Sequence, residues 1–94
     1  MQIVWTSAAR RDVNAIWDFI RRENQAAAEL VDSRILSSVA GLEAHAMRGR
    51  PGRVKGTREL VIPGLPYIVV YSAGEARVAL ERILHTARRW QRRV

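Results

Sequence analysis

Three side chains that suit phosphate or proton chemistry lie in the C-terminal half of the sequence: Arg58, Arg82 and His85. A guanidinium forms paired hydrogen bonds with phosphate or carboxylate groups, and it also stacks on nucleic-acid bases. Histidine titrates close to neutral pH, so it can give or take a proton under physiological conditions. We expect the function to reside where these three residues come within reach of one another.

The elements that carry these residues are predicted to be strands. β-branched and aromatic residues fill three runs, at 57–62, 67–72 and 77–85, and glycine and proline separate the runs. The connections are too short for a parallel crossover, so we predict an antiparallel meander.

Side chains alternate across a strand, and this alternation predicts which residues share a face. On the third strand it separates two sets, Leu80, Arg82 and Leu84 against Glu81, Ile83 and His85. On the first strand it groups Arg58 with Leu60 and Ile62. Arg82 and His85 therefore point to opposite faces, and they would converge only at the strand end, where His85 leaves the sheet.

The composition limits the partners and the classes of site. Ninety-four residues form a single domain, 1–94, with room for a modest core. The formal charge is +7, and Lys55 is the only lysine among the 16 basic residues, which favours a polyanionic partner such as nucleic acid or an acidic protein. Cysteine is absent, which excludes a disulfide framework and a thiolate zinc site. The two histidines are far apart, so we expect no metal and no cofactor.

Two further basic segments are candidates for RNA or phosphate binding. A glycine-rich loop after the helices contributes Arg50, Arg53 and Lys55, although it has no P-loop or dinucleotide-binding spacing. The C-terminal tail contributes Arg88, Arg89 and Trp90, and basic residues around an aromatic ring can hold a stacked base and its phosphates. The alternatives are a solvated connector for the loop and a tail whose tryptophan packs on the sheet.

The N-terminal half is predicted to be a short strand at 3–5 followed by two helices. Thr6 or Ser7 would cap the first helix, with Asp12 in or near its first turn. Asn24 would cap the second helix, which we predict from about residue 25 to 46 because apolar residues recur there at threes and fours. The connection between the two helices is short, which predicts an antiparallel helical hairpin.

These elements together predict an α+β fold: an N-terminal short strand, a two-helix antiparallel hairpin, then a three-stranded antiparallel meander. The helices would cover one face of the sheet and leave the other partly open. The longest apolar run, 65–71, is far too short to span a membrane, and no signal peptide is evident. We therefore predict a cytoplasmic protein without membrane contact.

Three segments resemble one known family. The sequences VWTSAARRDVNAIWDFIRREN, GTRELVIPGLPYIVVY and ILHTARRW are similar, in this order, to the RelE/ParE superfamily of bacterial type II toxin–antitoxin toxins. The resemblance covers essentially the whole chain. It implies the same α+β fold and an acidic cognate antitoxin that forms a hetero-oligomer with the toxin.

The resemblance implies two possible mechanisms of growth arrest. RelE-like members are endoribonucleases that cut mRNA on the ribosome by 2′-hydroxyl attack. For that reaction the resemblance implies Arg58 and Arg82 as phosphate clamps and His85 as general acid or base. ParE-like members inhibit DNA gyrase and are not nucleases. We expect the ribonuclease, with the gyrase inhibitor as the alternative and an inert antitoxin-binding relative as a third possibility.

The choice between the mechanisms rests on few residues. The charge and the titratable His85 favour the ribonuclease. A single lysine and a Leu-His strand end, which ParE-like members also have, favour the gyrase inhibitor. His85 is then a structural or partner-contact residue, and Arg58 beside Glu59 forms no more than a surface ion pair.

Overall fold

The computed structural model describes residues 1–87, and it confirms the predicted α+β fold. Its helices and strands follow the chain in this order: β1 (Gln2–Trp5), α1 (Ser7–Arg21), α2 (Gln25–Ala40), a 3-10 turn (Gly41–Glu43), β2 (Arg50–Pro51), β3 (Arg58–Val61), β4 (Tyr67–Ala73) and β5 (Arg77–His85). None of the helices within the described range is long and apolar enough to cross a bilayer.

Within residues 1–87 the sheet has five strands in the order β1-β5-β4-β3-β2. The meander β3-β4-β5 is antiparallel as predicted, and β1 pairs with β5 in parallel. β2 was not predicted, because its two residues lie in the basic segment interpreted as a loop. It pairs with β3 through Arg50 opposite Glu59 and Pro51 opposite Arg58. A strand of two residues is too short to show an alternating sequence pattern, so it is recognised only by its pairing with β3.

The first helix begins as predicted. The Thr6 hydroxyl oxygen accepts the Ala9 N–H at 3.2 Å, which caps α1. Asp12 lies in the second turn, near the first turn rather than in it. The helix starts directly after Thr6, which makes Asp12 its sixth residue.

The second helix is shorter than predicted. Asn24 caps it by accepting the Ala27 N–H at 3.0 Å, which confirms the predicted start. The helix ends at Ala40 rather than near residue 46, because Gly41 weakens the helix and the chain tightens into a 3-10 turn. Its buried residues recur at threes and fours: Ala28, Val31, Ile35 and Val39.

The core lies between the helical hairpin and one face of the sheet. The largest fully buried side chain is Tyr71, in the middle of β4. Around it pack aliphatic residues of α2, the 3-10 turn, β4, β5 and the residue that follows β3, among them Ile35, Leu42, Ile62, Val69, Val78 and Leu80. Half-buried residues of β1 and α1 close the edge of this core.

A β-bulge in β5 changes which side chains share a face. Tyr71 lies opposite Leu80, whereas its neighbour Val70 lies opposite Arg82, so Glu81 is an extra residue. Leu80 and Arg82 therefore point to opposite faces, and the predicted grouping of Leu80, Arg82 and Leu84 is wrong. The grouping of Glu81 with Ile83 and His85 fails for the same reason, because the extra residue shifts the alternation by one. On β3 the predicted grouping holds, since Arg58 and Leu60 lie opposite Tyr71 and Val69.

Candidate functional site

An open groove of about 640 Å³ lies between α1 and the end of β5. Its apolar part is formed mainly by Ala15, Ile16, Phe19, Tyr67, Ile83 and Leu84. Its polar part comprises Asp12, Arg82 and His85. Two of the three predicted site residues are therefore brought to one groove, together with a carboxylate that the sequence did not single out.

Asp12 and Arg82 form a two-pronged ion pair at the edge of this groove. The Nε and Nη2 atoms of Arg82 donate to the two carboxylate oxygens of Asp12 at 2.7 and 3.0 Å. Asp12 Oδ2 also accepts the backbone N–H of Ile83 at 2.9 Å. Hydrogen bonding to Asp12 raises the pKa of Arg82, burial acts against this, and the attraction of the carboxylate charge adds to it. Arg82 is therefore a permanent cation, and its guanidinium is held by a protein carboxylate.

The end of β1 explains why Asp12 is needed at this position. β1 pairs with β5 only as far as Leu80, and the chain then turns into α1. Beyond Leu80 no further strand among residues 1–87 pairs with this edge of β5, so Asp12 supplies an acceptor for the Ile83 N–H. The Thr6 hydroxyl fixes the same junction through the carbonyl oxygens of Leu80 at 2.6 Å and Glu81 at 3.3 Å.

His85 contacts the groove through one face and one nitrogen. Its Nδ1 accepts the backbone N–H of Ala87 at 3.0 Å. A neutral ring in this arrangement carries its hydrogen on Nε2. The ring of Tyr67 lies edge-on to it, with 5.4 Å between the centroids and 86° between the planes. The histidine is thus oriented by two contacts, whereas neither contact supplies a charged partner.

Arg58 lies away from this groove. It is opposite Tyr71 on β4, whereas His85 is opposite Tyr67, four residues along the same strand. Four residues of strand correspond to roughly 13 Å. Arg58 Nη1 donates to the carbonyl oxygen of Gly49 at 2.6 Å. The register therefore separates Arg58 from His85. Arg82 is opposite Val70 and so nearly level with Arg58, but β4 lies between their strands and Tyr71 and Val70 face opposite sides of the sheet. The predicted meeting of the three residues is therefore wrong. The catalytic roles assigned to the three residues remain predictions.

The basic loop, defined here as residues 46–58, is the second candidate site. Arg50, Arg53 and Lys55 are all exposed on it. Arg50 Nη2 lies 3.6 Å from Glu59 Oε1, and the Arg53 backbone N–H donates to Glu59 Oε2 at 3.1 Å. The other predicted phosphate-binding residues, Arg88, Arg89 and Trp90, lie outside the described residues.

Comparison with known proteins identifies the family. Residues 3–90 match the family model described as the ParE toxin of the type II toxin–antitoxin system parDE. This chain belongs to the ParE toxin family.

Individual relatives come from both branches of the wider superfamily. The toxin is 36% identical over 89 residues to Y4kP of Sinorhizobium fredii, a toxin by name, covering 95% of this chain and 92% of that protein. It is 32% identical over 87 residues to toxin RelE2 of Caulobacter vibrioides, covering 93% of this chain and 97% of that one. A solved structure described as the chromosomal ParDE TA system from P. aeruginosa is similar, with a TM-score of 0.80, 26% identity, and 90% and 95% of the two chains covered.

These similarities confirm the expected class of protein. The chain is a type II toxin–antitoxin toxin of the RelE/ParE superfamily, and the system implies an antitoxin as partner. Within residues 1–87 of the toxin, no three His, Cys, Asp or Glu side chains are close enough to hold a metal ion.

Sequence reasoning missed the partners that orient the site of this ParE-family toxin. Asp12 borders the apolar stripe of α1, and that position is the only local sign of its role. The two carboxylates adjacent in sequence to Arg58 and Arg82 have other contacts: Glu59 contacts the basic loop, and Glu81 accepts a hydrogen bond from the Ser72 hydroxyl at 3.0 Å. Tyr71 is buried in the core, and its hydroxyl also binds the loop.

Proposed function

We propose that this toxin arrests growth through protein contacts with DNA gyrase, as ParE-like members do. The observation that carries the proposal is the set of contacts made by the guanidinium groups of Arg58 and Arg82. Both guanidinium groups bind to the toxin itself, one to a backbone carbonyl and one to a carboxylate. The predicted phosphate clamps of a ribonuclease are therefore engaged before any RNA arrives.

The cost of releasing these groups supports the proposal. Cleavage by 2′-hydroxyl attack needs cations that face the developing phosphorane charge in a fixed arrangement. A substrate phosphate could use the Nε–Nη2 edge of Arg82 only by displacing Asp12, and hydrogen bonds between two charged groups are about twice as strong as neutral ones. It would also leave Asp12 and the Ile83 N–H to find new partners. A preorganised nuclease site would show the opposite arrangement, with its cations turned towards the substrate.

Family membership supports the same branch. The matching family model is that of ParE toxins, and it covers residues 3–90. The similar solved structure is described as a ParDE system. A gyrase inhibitor acts through its surface, so it requires no acid–base pair. His85 then serves to hold the end of β5 through its contacts with Tyr67 and Ala87.

The ribosome-dependent mRNA endonuclease is the second candidate, and the groove is the observation that favours it. Arg82 and His85 line the same open groove, and the Nε2 atom of His85 is not used by the Ala87 contact. One relative is named as a RelE toxin. In this mechanism His85 would move a proton and the ribosome would supply part of the site.

One pair of assays separates the two candidates. Purified toxin is added to gyrase in a supercoiling assay, and mRNA 5′ ends are mapped in cells that express the toxin. We expect blocked supercoiling and intact mRNA. New cleavage sites on translated mRNA with normal supercoiling would establish the ribonuclease instead.

A histidine variant with a matched control sharpens the distinction. His85→Asn keeps an acceptor near the Ala87 N–H but cannot transfer a proton at neutral pH. We expect it to retain full toxicity, as does His45→Asn, which changes an exposed histidine outside the groove. Loss of toxicity in His85→Asn alone, with an unchanged melting temperature, would support proton transfer by His85.

We also infer that the acidic antitoxin covers the groove beside α1. The groove is open and largely apolar, and Phe19 on its rim is 72% exposed. An amphipathic segment would bury these side chains, while its acidic residues would match the positive charge of the toxin. The resulting hetero-oligomer would form where the toxin acts, which we expect to be the cytoplasm.

A further inference from the structure

We propose that the basic loop is a preorganised surface for the phosphate backbone of nucleic acid, and that Arg58 and Tyr71 are the residues that position it. This proposal is independent of the choice between gyrase and mRNA, because the DNA on which gyrase acts and the mRNA both present phosphate. It also gives Arg58 a role different from that of a catalytic clamp.

The charge of the basic loop is concentrated and uninterrupted. Residues 46–58 contain five cationic residues among 13 and no acidic residue. Four of the five are exposed: Arg48, Arg50, Arg53 and Lys55. The fifth, Arg58, is half-buried and directed at the loop backbone.

Side chains of the sheet fix the first half of the loop. The Tyr71 hydroxyl donates to the carbonyl oxygen of Ala46 at 2.7 Å and accepts the Gly49 N–H at 2.9 Å. Arg58 Nη1 donates to the carbonyl oxygen of Gly49 at 2.6 Å. Both backbone polar groups of Gly49 are thus held by side chains of the neighbouring strands.

Glycine is needed at residue 49 for this arrangement. A Cβ atom there would lie 2.7 Å from the Tyr71 hydroxyl oxygen and 3.0 Å from the carbonyl oxygen of Glu59. Any larger residue would push the loop away from the sheet and break both hydrogen bonds to the tyrosine.

The second half of the loop is fixed by β2 and by a buried carboxylate. Glu59 is only 6% exposed, and it accepts the Arg53 N–H. Gly52 donates to the carbonyl oxygen of Thr57 at 2.8 Å, and the Thr57 hydroxyl donates to that of Val54 at 2.6 Å. A solvated connector needs none of these contacts. A binding surface benefits from them, because a loop that is ordered in advance loses less entropy when it binds.

The side chains present favour phosphate over a protein surface. Strong protein interfaces depend on aromatic or large apolar anchors that are buried in pockets. The basic loop contains no aromatic residue, and its two exposed apolar side chains, Met47 and Val54, are outnumbered by four exposed cations. Arginine and lysine with intervening glycine and proline instead allow close approach of a charged polymer backbone, and such contacts carry no base specificity. The Arg50 side chain is 56% exposed, and its Nη2 atom lies 3.6 Å from Glu59 Oε1, so the guanidinium group still faces solvent.

The test measures binding of the full-length toxin to labelled duplex DNA and single-stranded RNA of about 20 nucleotides over a series of salt concentrations. Arg50→Ala and Lys55→Ala should each weaken binding and reduce the slope of log K against log salt by about one. Arg77→Ala removes an exposed arginine outside the loop, at the start of β5, and should leave the slope unchanged. Comparison of the DNA and RNA arms shows which nucleic acid is the source of the phosphate.

The positioning role of Tyr71 and Arg58 is tested with variants that separate the geometry of the loop from its charge. Tyr71→Phe retains every cation but loses both hydrogen bonds to the loop, so we expect binding about fivefold weaker. Arg58→Gln removes the charge but keeps an N–H donor for Gly49, so we expect nearly the wild-type salt slope. A slope reduced by about one in Arg58→Gln would instead show direct phosphate contact by Arg58.

Three results would overturn the proposal. The first is equal binding by Arg50→Ala, Lys55→Ala and Arg77→Ala. The second is wild-type binding by Tyr71→Phe, whose folding is checked by its melting temperature. The third is binding of polyglutamate without binding of DNA or RNA, which would make the loop a surface for an acidic protein.

Discussion

The carboxylate of Asp12 joins α1 to β5 through three hydrogen bonds, two from the Arg82 guanidinium and one from the Ile83 backbone. Its side chain is 16% exposed, so little water is available to replace these partners. The toxin thus uses one acidic residue both to close an open strand edge and to hold a cation of the groove.

We expect Asp12→Asn to lower the free energy of unfolding by about 1–2 kcal/mol, because the amide cannot accept all three hydrogen bonds or balance the charge of Arg82. Urea denaturation of the purified toxin measures the change. Asp18→Asn is the matched control, since Asp18 pairs with Arg21 on the same helix but both side chains are at least half exposed. The control should change stability by less than about 0.5 kcal/mol. Equal effects of the two variants would contradict this assignment.

At the scale of elements, the sequence predicted the helix starts and strand positions that interactions between nearby residues determine. The caps at Thr6 and Asn24 and the apolar periodicity placed the start of both helices, and the β-branched runs placed β1 and the meander. The short strand β2 and the bulge at Glu81 escaped because both are defined by pairing with another strand. A strand partner supplies no signal within the segment itself.

The residues of the groove also differ in whether local sequence or a distant contact determines their place. Arg82 and His85 were found from residue type and place on a strand. Asp12 was not recognised, because its partner Arg82 is 70 residues away and only the end of β1 makes the contact necessary. Arg58 was wrongly grouped with them, since strand order and register decide which distant residues meet. Neither strand order nor register can be deduced from the alternation of side chains along a single strand.

The buried face of α2 offers a direct test at this scale. Ile35 is fully buried, whereas its neighbour Leu36 is 47% exposed. We expect Ile35→Ala to lower the free energy of unfolding by about 2–5 kcal/mol, because it leaves a cavity between the helices and the sheet. Leu36→Ala should cost well under 1 kcal/mol, since it removes few contacts and keeps a good helix former. Thermal or urea denaturation of both variants makes the comparison, and similar losses would show that α2 packs with another face.

At the scale of the whole molecule, the toxin presents two distinct surfaces for the proposed partners. The groove beside α1 is open and largely apolar, and the basic loop at the β2–β3 end is cationic and held by hydrogen bonds to the sheet. Antitoxin binding at the groove and phosphate binding at the loop would therefore occupy different surfaces.

The groove predicts a specific loss of antitoxin binding. Phe19→Ala should weaken the complex about tenfold or more, because an exposed aromatic side chain beside an apolar groove is typical of a binding hot spot. Isothermal titration with the cognate antitoxin measures the effect. Leu36→Ala, on the exposed face of α2 and outside the groove, is the control and should bind normally. Unchanged affinity in Phe19→Ala would place the antitoxin elsewhere.

The parallel pairing of β1 with β5 has a consequence for how the toxin is made. These two strands are neighbours in the sheet, yet Gln2 pairs with Arg77, and β5 is synthesised after every other described strand. On a translating ribosome the helical hairpin and the β3–β4 pair are available early, whereas β1 must wait for β5, its neighbour in the sheet. Such distant pairing also makes folding slow relative to helical proteins of this size. A nascent toxin therefore lacks its groove and its completed sheet until β5 has been synthesised, which leaves an interval in which the antitoxin can already be present.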